Sequence, residues 1–103
     1  MSKNKYRAIP TVVDGIRFAS KAEARRYGEL KLLVFAKEIY NLSLQPTFPI
    51  IVNGSKICTY VADFRYEKDD QLVIEDVKGM RTPVYKLKKK LVEALYGITI
   101  TEV

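Results

Sequence analysis

Apolar and polar positions alternate in short runs along most of the chain and change to a helical period in two places. Thr11 to Phe18 reads as a short hairpin about Asp14-Gly15, a dipeptide suited to a tight turn. Ser20-Lys21-Ala22-Glu23 fits a capping box and opens a predicted helix that runs to about Lys37. Tyr27, Leu30 and Val34 share one face of it, with Leu33 beside them. Asn41 to Pro46 reads as a connection. Phe48 to Val52 is rich in strand-forming residues, and Asn53-Gly54 after it is a strong hairpin signal. Lys56 to Tyr66 is the predicted return strand, Lys68-Asp69-Asp70 a turn, and Leu72 to Lys78 the next strand. Thr82-Pro83 starts a second helix, with Thr as N-cap and Pro at the first helical position. Val84, Leu87, Leu91 and Leu95 form its apolar stripe, and Gly97 suits its C-terminal cap. Ile98 to Glu102 is a last short strand.

The order is helix, three strands in meander, helix, strand. A right-handed crossover places the last strand parallel to residues 72–78. The expected fold is α/β, a mixed four-stranded sheet flanked by helices. A chain of 103 residues falls below the usual ~150 per domain, so one domain spanning 1–103 is expected, with 1–10 as a basic arm. A domain this short buries a limited share of its surface, and self-association would help it.

Net charge is +6, but its distribution matters more. Residues 1–31 carry eight basic and three acidic residues, 32–77 four and seven, and 78–103 six and two. Basic flanks suit a polyanion such as nucleic acid. An acidic middle suits one only if its carboxylates hold cations, and an unevenly charged solvated surface is the alternative. The chain has no histidine, which excludes Ser-His-Asp triads, Cys-His pairs and His-ligated zinc. Its one cysteine, Cys58, reads as a small core residue. No apolar run approaches a membrane span, so a cytoplasmic protein with no membrane partner and no organic cofactor is expected.

Chemistry then falls to carboxylates, lysines and oxygen-ligated metal. With period two, Leu72, Ile74, Asp76 and Lys78 share one strand face, and Val73, Glu75 and Val77 the other. Ile57, Thr59, Val61 and Asp63 share a face of the preceding strand. Pairing about the Lys68–Asp70 turn brings Asp63 opposite roughly 75 to 77, near Asp76, with Lys78 beside them. Two adjacent carboxylates repel unless a cation or proton lies between them. Oxygen-only ligation suits Mg²⁺, with Mn²⁺ as its substitute. A cation there lowers the pKa of a bound water, and the Lys78 ammonium offsets developing charge. That is a phosphodiester hydrolase site, against the plainer reading of a salt-bridge cluster at a strand edge. Glu23 has two open readings, helix cap or carboxylate pointing into a cleft. Glu75 lies on the opposite face and is a reserve ligand that a bulge would bring in.

Lys78, Arg81, Lys86, Lys88, Lys89 and Lys90 form a run without acidic residues, interleaved with Thr82 and Tyr85. The helix N-terminus at Thr82-Pro83 can meet a phosphate. Lys86, Lys89 and Lys90 lie off the leucine stripe as a ridge that tracks a backbone without reading bases. An ordinary solvated helix face is the alternative. Lys3, Lys5 and Arg7, and Arg25 with Arg26, are further candidate DNA contacts.

Glu23, Asp63 and Asp76-Val77-Lys78 resemble the pattern of the PD-(D/E)XK nuclease superfamily. The stretches "SKAEARRYGELKLL", "LQPTF", "YVADFRY", "IEDVKG" and "TPVYKLKKKL" resemble a family of small phage-encoded endonucleases related to archaeal-type Holliday junction resolvases. The resemblance covers about Tyr6 to Val103. It implies a restriction-endonuclease-like αβββαβ core, and a catalytic set of Asp63, Asp76 and Lys78 with Glu23 as a further acidic ligand. It also implies divalent metal, four-way-junction DNA as substrate, a homodimer making paired cuts, and the cytoplasm of a bacterial host. Ala62 stands where the motif has Pro, and Asp76 where related resolvases often carry Glu. Gln45 in "LQP" resembles a polar position near the site. A nickase or flap-processing enzyme, a non-catalytic nucleic-acid-binding module on the same fold, and a structural phage protein are the competing readings.

Overall fold

The computed structural model describes residues 9–79 and 81–103. The expected basic contacts Lys3, Lys5 and Arg7 lie outside the described residues. Strands β1 (Thr11–Val13) and β2 (Ile16–Phe18) form the predicted hairpin. Asp14 and Gly15 both take positive φ, as the tight turn requires. Helix α1 (Lys21–Phe35) is capped by the Ser20 hydroxyl, which accepts from the Glu23 N–H at 3.1 Å. It ends two residues before the expected Lys37. There Lys37 takes φ +62°, and the Lys37 and Glu38 amides turn back to the Val34 and Leu33 carbonyls.

Strands β3 (Tyr40–Leu44), β4 (Thr47–Val52), β5 (Ser55–Val61), β6 (Phe64–Lys68) and β7 (Gln71–Asp76) follow, then α2 (Pro83–Tyr96) and β8 (Ile100–Glu102). Among the described residues the main sheet is mixed and four-stranded, in the order β3-β6-β7-β8. Strands β7 and β8 run parallel, as the crossover argument requires, and the other pairs antiparallel. The β4–β5 hairpin turns at Asn53-Gly54 and forms a ladder of its own.

Three expectations need correction. Asn41 to Pro46 is no mere connection, because Tyr40–Leu44 pairs with β6 and forms one edge of the main sheet. The predicted strand Lys56 to Tyr66 is two strands, broken at Ala62–Asp63. Ala62 N–H bonds to the Pro46 carbonyl and Asp63 N–H to the Glu75 carbonyl, so the chain passes from hairpin to sheet there. The break also changes which side of β5 is inside: Tyr60 and Ala62 are buried, while Ile57 and Val61 are exposed. Finally, of the predicted stripe on α2 only Leu91 packs against the core, and partly. Tyr85 and Val92 face the sheet, and Val84, Leu87 and Leu95 face out, Leu87 being 58% exposed. Tyr85 wins this rotation because its ring fills the core and its hydroxyl finds the Glu102 carboxylate at 2.7 Å.

The sheet separates two cores. On one side Ala24, Tyr27 and Leu30 of α1 pack on Phe18, Ile39, Phe64 and Tyr66. On the other, Tyr85 and Val92 of α2 pack with Ile50, Tyr60, Ala62, Ile74 and Ile100. Cys58 is partly buried against this second core. No helix among the described residues is long and apolar enough to cross a membrane.

Candidate active site

The β6–β7 ladder pairs Phe64 with Glu75 across the Asp69-Asp70 turn. One step further along this register, Asp63 faces Asp76. The break after Ala62 leaves Asp63 at the sheet end, where its Oδ2 accepts the Val77 N–H at 2.7 Å. The structure therefore brings together the two aspartates that the turn arithmetic paired. Asp63 is pushed up to about 6, first by burial and next by the Glu23 carboxyl, against the Asp76 side chain and the Val77 amide. Asp76 is pushed up to about 7, by burial and then by Asp63, with Tyr60 and Lys78 opposing.

Asp76 is 1% exposed. Its Oδ2 accepts a hydrogen bond from the Tyr60 hydroxyl. Its Oδ1 is buried with no hydrogen-bond partner among the described residues. The Lys78 Nζ lies 3.4 Å from that oxygen, an ion pair without hydrogen-bond alignment, and 4.4 Å from the Tyr85 ring centroid. Lys78 lies beside Asp76 as expected, although β7 ends at Asp76 and not at Lys78, and its ammonium is wedged between carboxylate and aromatic face.

Glu23 does both things the sequence left open. Its Oε1 accepts the Ala19 N–H at 3.2 Å, a capping role. It also lines a cavity of about 80 Å³ with Asp63 and Gln45. Gln45 is set there by strained backbone, φ +52°, with its N–H on the Asp63 carbonyl at 3.0 Å. Among the described residues no group of three His, Cys, Asp or Glu side chains is arranged to hold a metal. Any cation at this end of the sheet would have Asp63 and Asp76 as its carboxylates. Two hard oxygen donors, one of them buried without a partner, fit a Mg²⁺-type ion that takes one or two carboxylates and completes its shell with water and phosphate.

Glu75 is elsewhere. It points to the α1 side, 1% exposed, where Arg26 Nε and Nη2 reach its two oxygens at 2.8 and 2.7 Å and the Tyr66 hydroxyl joins them. The guanidinium is raised further by this carboxylate. No bulge turns Glu75 toward Asp63.

A family model described as a protein of unknown function (DUF1064) matches residues 3–101. The chain belongs to the DUF1064 family. No curated protein and no solved structure matches it.

The remaining basic and polar candidates of this DUF1064 chain scatter. Arg26 is held by Glu75 and by Glu29 at 2.9 Å. The Thr82 hydroxyl accepts the Tyr85 N–H and caps α2. Tyr85 is buried. Arg81 pairs with Glu102 at 2.9 Å, and Lys89 lies 3.8 Å from Glu93. Arg81, Lys86, Lys89 and Lys90 line a cleft on one flank of α2, while Lys88 lies on the other, in a cleft shared with Lys78. Arg25 lines a third cleft, also shared with Lys78. Tyr60 is the site residue that sequence reasoning missed. Straight-strand alternation puts residues 60 and 63 on opposite faces, and only the break lets both reach Asp76.

Proposed function

We propose that this protein is a divalent-metal-dependent DNA endonuclease of the PD-(D/E)XK type, acting on branched DNA as a homodimer in the cytoplasm. The observation that carries the reading is the Asp63–Asp76 pair, with the unpartnered Asp76 Oδ1 3.4 Å from Lys78 Nζ. Two adjacent carboxylates with raised pKa values, at one end of the sheet, are costly for stability alone. Support also comes from the parallel β7–β8 pair bridged by α2, an arrangement that a restriction-endonuclease-like core would contain.

Asp63 and Asp76 would hold the cation. The Val77 amide and the Tyr60 hydroxyl each occupy one oxygen of the pair and fix its orientation. Lys78, braced on Tyr85, would place its ammonium beside the charge that develops on phosphate. Glu23 and Gln45 border Asp63 and would orient water there. When bound, the metal would lower the pKa of a water and neutralise a scissile phosphate. The outward stripe of Val84, Leu87 and Leu95 is available for self-association.

One observation favours a second reading. Glu23 is engaged as a helix cap, and no three-residue metal cage exists among the described residues. A nucleic-acid-binding module without catalysis would have these features. Labelled four-way junction and matching linear duplex, incubated with Mg²⁺, Mn²⁺ or EDTA beside Asp76→Asn, separate the two. We expect metal-dependent junction cleavage that the variant loses. Binding without cleavage under either metal would leave the module, and equal cutting of duplex and junction would remove branch selectivity.

A further inference from the structure

Lys78 lies on the boundary between two clefts. The first, of about 350 Å³, lies between α1 and the segment after β7, and includes Arg25, Arg26, Glu29 and Gly79 in its lining. The second, of about 360 Å³, lies between β5 and α2, and is lined by Thr59, Tyr60, Thr82, Tyr85 and Lys88 among others. Lys78 lines both.

Within each cleft, the partners already made show which cation is free. In the first, Arg26 is committed to Glu75 and Glu29, and Glu29 is neutralised by the same contact. Arg25 makes no ion pair among the described residues. In the second, the Tyr60 and Tyr85 hydroxyls are bound to carboxylates and the Thr82 hydroxyl caps its helix. Lys88 makes no ion pair among the described residues, and no carboxylate lines that cleft. The cleft on the other flank of α2, of about 280 Å³, holds more cations, but it also holds Glu93 and Glu102 and does not reach Lys78. Charge density along the sequence favours Lys86, Lys89 and Lys90; placement favours Arg25 and Lys88.

We propose that one nucleic-acid strand runs across Lys78 and is gripped by its phosphates on both sides, by Arg25 in one cleft and Lys88 in the other, so that the protein engages the interior of a strand and needs no free end. The location of the cut at Lys78 rests on the endonuclease reading; the path of the strand does not. Phosphate contacts of this kind hold position without reading sequence.

Two arms test this. In EDTA, anisotropy with a labelled four-way junction and a labelled duplex measures binding across a salt series. Arg25→Ala and Lys88→Ala should each weaken binding about three- to tenfold and each lower the salt slope by about one. Lys68→Ala, at the far end of β6, should bind like the wild type. Wild-type binding by either Arg25→Ala or Lys88→Ala would overturn the path, as would a loss carried instead by the Lys86→Ala, Lys90→Ala double variant. In the second arm, covalently closed circular DNA is incubated with Mn²⁺. Opening of the circle supports a strand engaged internally, and trimming of linear DNA with the circle untouched overturns it. If no DNA of any form is cut, the endonuclease reading fails, and the binding arm decides the path by itself.

Discussion

Glu75 and Asp76 are consecutive on β7, point to opposite faces of the sheet, and are each 1% exposed. Both accept from a tyrosine, Tyr66 for Glu75 and Tyr60 for Asp76. There the likeness ends. Glu75 has the Arg26 fork on its two oxygens, so a buried charge is matched by charge and geometry. Asp76 has a second carboxyl for a neighbour, an ammonium at 3.4 Å, and an oxygen with no hydrogen bond. Burying a carboxylate is costly unless its lone pairs are used. The first arrangement ties α1 to the sheet. The second leaves an oxygen unsatisfied, and under the proposed function a cation would meet that requirement.

The largest test of this contrast is Asp76→Asn. Cleavage should fall about a thousandfold, read in single-turnover assays with saturating metal. The same change should ease folding. Asp63 and Asp76 sit at about 6 and about 7, above their ordinary value of 3.8, so the folded chain keeps protons that the unfolded chain has released. Stability from the pair is full below about pH 4 and is lost as the pH rises through these values. Melting temperatures from pH 4 to 8, without metal, should therefore fall more in the wild type than in Asp76→Asn. Parallel pH curves would break the comparison.

Next in size is Glu75→Gln, which leaves Arg26 facing a neutral partner. Urea unfolding should show a loss of about 2–3 kcal/mol, because one side of a buried pair has been removed. A variant as stable as the wild type would make the Arg26–Glu75 fork dispensable. The smallest effect is expected for Tyr60→Phe. Without its hydroxyl, Asp76 is less firmly oriented, and cleavage should fall about tenfold, with the metal concentration for half activity rising. A loss confined to stability, with the metal dependence unchanged, would remove Tyr60 from the site.

The parts of this contrast differ in how far the sequence discloses them. Local signals transfer well: Asp14-Gly15 and Asn53-Gly54 take the positive φ of tight turns, and Ser20 and Thr82 cap their helices. The period of two places Glu75 and Asp76 on opposite faces, and counting outward from the Asp69-Asp70 turn pairs Asp63 with Asp76. What was hidden depends on contacts distant in the chain. Residues 40–44 become a strand because β6 offers them an edge. The break at Ala62–Asp63 interrupts a run otherwise rich in strand-forming residues, and amides bonded to Pro46 and Glu75 create it. Tyr60 reaches Asp76 only through that break. Arg26 is 49 residues from Glu75, so nothing local marks it as a partner rather than a DNA contact. In α2 the regular leucine spacing suggests the wrong buried face, because one tyrosine with a carboxylate partner outweighs three aliphatic side chains.

The most direct test of the central claim is a Mn²⁺ titration at pH 7.5, followed by electron paramagnetic resonance, on the wild type, Asp76→Asn and Glu75→Gln under folded conditions. The account predicts saturable binding to the wild type and to Glu75→Gln, and none to Asp76→Asn. Equal binding by wild type and Asp76→Asn would contradict it.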